Sequence, residues 1–325
     1  MILRLGRILV RAVGTLVMVA VLNFILFRVV PGDPATLLLA GSRSGISQAQ
    51  IQSVRNEWGL DRPLFPDQLV AYMESTVRGD LGYSFKYRGE KVTDLLIQRL
   101  PATIVLVGLA QILAIAAGLY LGAIAGWRRG RGVDRVVTNT SLVLYATPYF
   151  WLGMVLVLIF STGLGWFPPS GLFTTGVTAA DPVAWIVDGA SHLVLPVTAV
   201  GLGLLGQYVL VTRAAIGEVL TEDYMVTARA KGLREGQMLA RHAFQNGMLP
   251  VITLVTLNLG YIVAGTITAE AVFGWPGVGA LTVEALNARD YPVLQGIFLL
   301  LGTSIVLANM FADIVYGVLD PRVRT

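Results

Sequence analysis

Few side chains in this 325-residue sequence have the chemistry for catalysis, and they do not fall into the patterns that catalysis needs. No lysine follows a glycine, so no Gly-Lys pair can hold phosphates as a P-loop ATPase does. His192 and His242 lie far apart and outside any HExxH spacing, which removes the zinc-hydrolase pattern and leaves no metal site to assign. Cysteine is absent, and with it disulfides, thiol nucleophiles and thiolate ligands. What remains is a scatter of polar groups within apolar runs: Gln207, Thr253, Thr256, Asn258, Tyr261, Glu270 and Asp313. A charge placed inside a bilayer costs about 2.5–3.5 kcal/mol on insertion scales, so each such group needs a reason to be there. Thr253, Thr256, Asn258 and Tyr261 recur close to one helical face, where they either line a hydrated passage or hydrogen-bond between helices. Glu270 reads as a carboxylate near the mouth of a pathway. Asp313 reads as the partner of Arg135 or Arg213, or as a gating group.

The elements that position these residues follow from composition. The chain is 55% hydrophobic and 14% charged, with a mean hydropathy of +0.69, values that exclude an ordinary soluble domain. An all-α polytopic membrane protein is expected. The net charge of +4 does not form one stripe, so nucleic acid is not an expected partner; the basic residues track a membrane instead. Six spans are predicted: 12–30, 101–127, 136–161 with a kink at Pro148, 190–212, 249–269 and 291–316. Gly108, Gly118, Gly122 and Gly126 in the second span are spaced for close helix contact. Residues 31–99 form an α-rich insert, with helices expected from Ser47 towards Trp58, over 67–77 and over 90–100. The division is therefore 1–30, the insert 31–99, and a five-helix core 100–325.

Orientation follows from charge asymmetry. Basic residues crowd the N-terminus, the 128–135 and 213–241 loops and the C-terminal tail, whereas the loops 162–189 and 271–290 hold only Arg289. The positive-inside rule then places both termini in the cytoplasm and the insert outside.

One polar run is longer than a connection needs. Thr221 to Pro250, TEDYMVTARAKGLREGQMLARHAFQNGMLP, lies between two spans and reads as helical. Thr221, Glu222 and Asp223 suit a helix start, Val226, Ala230 and Leu233 mark one apolar face, and Gly232 suits the helix end. A second helical run, 237–244, leads to Pro250 in the first turn of the next helix.

This loop resembles the cytoplasmic loop of ATP-binding-cassette importer permeases in the dipeptide, oligopeptide and nickel branch, in the form of the first, or B-type, permease subunit. The likeness is carried by Asp223-Tyr224, by Thr227-Ala228-Arg229-Ala230-Lys231-Gly232-Leu233, and by Arg241-His242. Of the broader Glu-Ala-Ala, three residues, Gly signature only Ala228 and Gly232 match, because Val226 and Thr227 replace its first two residues. Further along, Glu270-Ala271-Val272-Phe273-Gly274-Trp275-Pro276-Gly277-Val278-Gly279 and Arg289-Asp290-Tyr291-Pro292-Val293-Leu294-Gln295-Gly296 are similar in type and order to the same branch. The resemblance implies a transport subunit of the inner membrane, not an enzyme, with no cofactor of its own. It also implies a heterodimer with a second permease, two ATPase subunits that hold ATP and Mg and receive the loop at 213–248, and an extracytoplasmic solute-binding protein. An ion-coupled secondary transporter is the alternative class, although buried carboxylates are few and no inverted repeat is evident.

Overall fold

The computed structural model describes residues 2–29, 52, 63–87, 89–264 and 267–319. The turn expected at 31–35, the helix expected from Ser47 towards Trp58 and the tail from Asp320 lie outside these residues. Among the described residues the regular structure is all helical, apart from a single antiparallel bridge between Tyr83 and Lys91, and residues 78–87, 89–91 and 164–181 are turns and irregular chain.

In chain order the helices are α1 (Ile2–Phe24), α2 (Leu69–Val77), α3 (Val92–Trp127), α4 (Gly132–Ala146), α5 (Tyr149–Leu156), α6 (Pro182–Val219), α7 (Asp223–Ala230), α8 (Glu235–Met238), α9 (Phe244–Gly247), α10 (Leu249–Ala264), α11 (Ile267–Val272), α12 (Val278–Ala288) and α13 (Tyr291–Leu319). α1, α3, α6 and α13 are each long and apolar enough to cross a bilayer. α4 and the helix 149–163 together meet the same test but are bent by 101°. α10 is shorter: sixteen residues rise about 24 Å, against a hydrocarbon core of about 30 Å. Of the six spans read from the sequence, four are full-length helices and a fifth is a sharply bent pair, while the one over 249–269 falls on a helix too short to meet the test.

Three departures from the expected boundaries have physical causes. α3 starts nine residues before the expected Pro101 and absorbs the separate helix expected over 90–100. Val92, Leu95 and Leu96 pack against Val278, Leu281, Val293 and Ile297, so the helix face is continuous through the proline. α6 likewise begins early, because Asp181 caps it by accepting from the Ala184 N–H at 3.1 Å and Pro182 occupies its first turn. At Pro148 the expected kink is a full break: Thr147 takes an extended conformation ahead of the proline ring, and two helices meet at a corner.

α3 and α6 form the centre of the bundle, and glycines set their separation. A Cβ on Gly122 would lie 2.6 Å from Thr212 Cβ and 2.7 Å from the Val209 carbonyl oxygen, while one on Gly126 would lie 2.8 Å from the Arg213 carbonyl oxygen. Gly118 faces Tyr208 in the same row. Gly108, grouped with these three by spacing alone, has open space around it. α6 offers glycines on another flank, where Gly206 receives Tyr145 of α4 and Gly203 receives the Tyr149 ring of α5.

The stretch from Ser84 to Tyr87 is bolted to α12 and the start of α13. Ser84 Oγ and the Lys86 N–H donate to the buried Asp290 carboxylate, and Lys86 Nζ reaches Glu284 of α12 at 3.0 Å. The Tyr87 hydroxyl donates to the same Glu284, and Arg99 stands 3.6 Å away. Partial burial raises the Glu284 carboxyl, but the Tyr87 and Lys86 hydrogen bonds and the Arg99 charge more than offset it and hold the group below the usual carboxylate range. A lowered folded value means the clamp stabilises at neutral pH and fades as pH falls through that value. Between about pH 5 and about pH 3 the wild-type melting temperature should therefore drop more steeply than that of Glu284→Gln. Parallel melting curves would exclude this role for the clamp.

Candidate functional site: a helical loop seated on the bundle

The run from Thr221 to Pro250 folds as short helices braced against the ends of α3 and α6. α7 is closed by Gly232, whose φ of +74° lies in the left-handed region that glycine adopts without strain. The Gly232 N–H reaches the Arg229 carbonyl at 3.0 Å and the Leu233 N–H reaches the Ala228 carbonyl at 3.4 Å, a Schellman pair that ends the helix where the sequence places it. At the other end Glu222 stands at the N-cap position, without a side-chain cap bond. α8 continues through a wide turn over Leu239–Ala243 into α9, and Pro250 sits in the first turn of α10.

The two faces of α7 are distinct, and they differ from the expected ones. Met225 and Ala228 are buried, packed with Met238 and Ala243 on Ile216 and Val219 of α6 and Ala123 of α3. Val226, Ala230 and Leu233, read as one apolar face, point away from the protein, with Val226 61% exposed. Tyr224, Thr227, Arg229, Lys231 and Arg241 are exposed as well, Asp223 opens the helix at its exposed tip, and His242 is half-buried. The loop is thus fixed to the bundle by one face while the other, with an apolar centre and a basic rim, has no partner among the described residues.

Directly beneath, Asp134 of α4 and Arg213 of α6 form a two-pronged ion pair, with Arg213 Nη2 at 3.0 Å and Nε also in contact. Asp134 is 3% exposed and accepts further bonds from the Gly130 N–H and the Thr138 hydroxyl. This corrects one of the pairings expected for Asp313, the one with Arg213. Arg213 is committed to Asp134, which sits one helix away, while Asp313 is exposed on α13.

The polar groups inside the bundle divide into two buried nodes and a remainder. In the first, Gln111 of α3 and Asn258 of α10 both donate to the Tyr208 hydroxyl of α6, the latter at 2.9 Å, joining three helices at one buried oxygen. Gln111 had not stood out in the sequence, where a single amide inside a long apolar run gives little signal. The second node holds Glu270, which is 0% exposed rather than open to a passage. Thr103 Oγ1 donates to its Oε1 at 3.0 Å, the Ala280 N–H donates to its Oε2 at 3.1 Å, and Thr103 in turn accepts from the Val278 N–H. The glycines of the Gly274-Trp275-Pro276-Gly277-Val278-Gly279 run make room for it: a Cβ on Gly279 would lie 2.9 Å from Glu270 Oε2. Trp275, 1% exposed, donates its indole N–H to the Ala102 carbonyl at 2.8 Å. Of the remainder, Thr253 and Thr256 bond back to the carbonyls of Leu249 and Ile252, Gln207 is half-buried, and the Tyr261 side chain lies outside the described residues.

The chain as a whole has counterparts among known proteins. Residues 118–325 match the family described as the binding-protein-dependent transport system inner membrane component, and residues 1–107 match the N-terminal family of the same membrane components. The chain belongs to this family of transport permeases. Among its relatives is the dipeptide transport system permease DppB of Escherichia coli K12, 37% identical over 337 aligned residues that cover 99% of this chain and 97% of that one. The di/tripeptide permease DppB of Pseudomonas aeruginosa is 37% identical and the oligopeptide permease AppB of Bacillus subtilis 34% identical, each covering 94% of both chains. A chain of the MetNI methionine ABC transporter in an inward-facing conformation shares the fold, with a TM-score of 0.55 at 16% identity over 70% of this permease and 96% of that chain. The permease is therefore a membrane transport component of the ABC importer type.

Proposed function

We propose that the permease forms, with a second similar subunit, the route by which di- or oligopeptides enter the cytoplasm, driven by two ATPase subunits that bind ATP and Mg. Full-length similarity to dipeptide, di/tripeptide and oligopeptide permeases supports the substrate class. The observation that carries the coupling is the two-faced α7: buried by Met225 and Ala228, exposed through Tyr224, Val226 and Leu233. In this reading residues 221–250 lie in the cytoplasm of a cell with both termini inside, and α7 enters a cleft on an ATPase. ATP-driven approach of the ATPases moves α7 as a rigid piece, and the apolar seat on α3 and α6 passes that motion into the bundle. A solute-binding protein delivers the peptide on the opposite face, beside the insert. Gln207, Thr253, Asn258, Tyr261 and Asp313 are the polar groups assigned to the route, whereas the burial of Thr256 and Glu270 gives them a structural part in this conformation.

Uptake of a labelled dipeptide into cells lacking this chain alone tests the reading. Uptake should disappear with the chain, fall on ATP depletion and persist when the proton gradient is collapsed. Uptake that followed the proton gradient instead would replace the proposal with ion-coupled transport.

A further inference from the structure

The α10 helix is tied to its neighbours in two unlike ways. On one side it packs on α13, where a Cβ on Gly260 would lie 2.8 Å from Ala308 Cβ and 3.2 Å from Ile305 Cα. On the side of α3 and α6, Val251, Leu254 and Val255 pack around Ala114 and the ring of Tyr208. Those contacts are apolar and have no preferred direction, so the helices can shift across them at small cost. A hydrogen bond resists such a shift because it weakens steeply with distance and angle. Among the described side chains of α10, Asn258 alone bonds to another helix: its Nδ2 donates to Tyr208 Oη at 2.9 Å, whereas Thr253 and Thr256 bond within α10.

The node is built so that this bond is expendable. Tyr208 is 0% exposed, and its hydroxyl also receives Gln111 Nε2 of α3. Gln111 and Tyr208 belong to the two helices that the glycine row holds together, with Gly118 against Tyr208 itself. When α10 withdraws, the buried phenol keeps Gln111 and is not orphaned. Asn258 is half-buried, so its amide is not left in a sealed apolar site. The loop at 221–250 reaches both sides of the node. Gly247 rests against α6, where a Cβ would lie 3.3 Å from the Ala215 carbonyl oxygen, and α10 begins at Leu249. A push on α7 therefore arrives at α6 through the buried seat and at α10 along the chain. We propose that Tyr208 and Asn258 are positioning residues that latch α10 to the α3–α6 pair in this conformation, and that the latch opens during the transport cycle. The proposal rests on the coupling described under the proposed function. A latch that holds until the stroke arrives prevents ATP from being hydrolysed without transport.

The test exploits the absence of cysteine from the chain: Ala214→Cys on α6 and Leu257→Cys on α10, both exposed positions, take spin labels without background. In the full-length permease the dipolar spectrum should give one distance for this pair. Asn258→Leu and Tyr208→Phe should each add a second, longer population, whereas Gln111→Met, which leaves the Asn258 bond in place, should not. In proteoliposomes holding the permease with its partner subunits, Asn258→Leu should raise ATP hydrolysis in the absence of peptide about fivefold, the weight of one net hydrogen bond, while uptake per ATP falls. Loss of a solute contact alone would lower uptake without raising this idle hydrolysis. If Tyr208→Phe does not fold, Asn258→Leu decides, because it leaves the buried phenol paired with Gln111. An unchanged distance in Asn258→Leu, or idle hydrolysis raised equally by Gln111→Met, overturns the latch. Wild-type hydrolysis indifferent to a peptide-loaded binding protein would instead overturn the coupling reading, with the label distances still deciding whether α10 is latched.

Discussion

Glu270→Ala is expected to lose about 2–5 kcal/mol of stability and to leave little permease in the membrane. The substitution strips the acceptor from Thr103 Oγ1 and from the Ala280 N–H in a region with no access to water, and it opens a void under Gly277 and Gly279. Glu270→Gln should lie between the two. Its carbonyl oxygen serves one donor, while its NH₂ faces the other unless the Thr103 hydroxyl turns to accept it. The measurement is the yield of folded protein by size-exclusion profile, together with the melting temperature in detergent. A Glu270→Ala protein that folds normally but transports nothing would show that the carboxylate handles solute and does not brace α3, α11 and α12.

Val226→Asp is expected to reduce peptide uptake and permease-stimulated ATP hydrolysis by tenfold or more while expression and melting temperature stay within the normal range. Val226 is 61% exposed, on the side of α7 turned away from the buried Met225 and Ala228, so its replacement spares the fold. At the apolar centre of a helix docked in a cleft, a buried carboxylate costs about 1.4 kcal/mol or more, which is tenfold in association. Ala228→Leu makes the contrast. That residue is 5% exposed against the α3 and α6 ends, and overpacking there costs about 1–3 kcal/mol of the permease's own stability. Stimulated hydrolysis that survived Val226→Asp would mean that the ATPase meets some other surface.

Signals confined to a few neighbouring residues were readable before any coordinates. The closure of α7 at Gly232, the helix over Leu69–Val77, the entry of Pro250 into α10 and the disruption at Pro148 all follow from local backbone preferences. Features that depend on a partner distant in sequence were not readable. Spacing put Val226 and Leu233 on one apolar face correctly, but whether that face is covered depends on Met225 and Ala228 finding Ile216 and Ala123. The Asp134–Arg213 pair joins residues from different helices, and charge alone could not choose it over Arg213 with Asp313, because proximity in the bundle decides partners. Glu270 misled for a related reason. A carboxylate beside a Trp-Pro-Gly turn reads as a surface group until the glycines around it are seen to enclose it.

The length of α6 carries a mechanical corollary. Its 38 residues form one continuous helix of about 57 Å, with Pro196 in its interior, from the Asp181 cap to the seat of the loop at Val219. The close glycine contacts at Gly203 and Gly206 lie near its midpoint, where neighbouring tyrosines cross with the least bulk between them. Because the glycine row of α3 packs it along Tyr208–Ile216, α6 tilts together with α3, and a tilt of about 5° about those midpoint contacts swings each end by about 2–3 Å in opposite directions. Under the coupling proposed above, a push at one membrane surface would emerge as a pull at the other, so that the same pair of helices closes one mouth while it opens the opposite one.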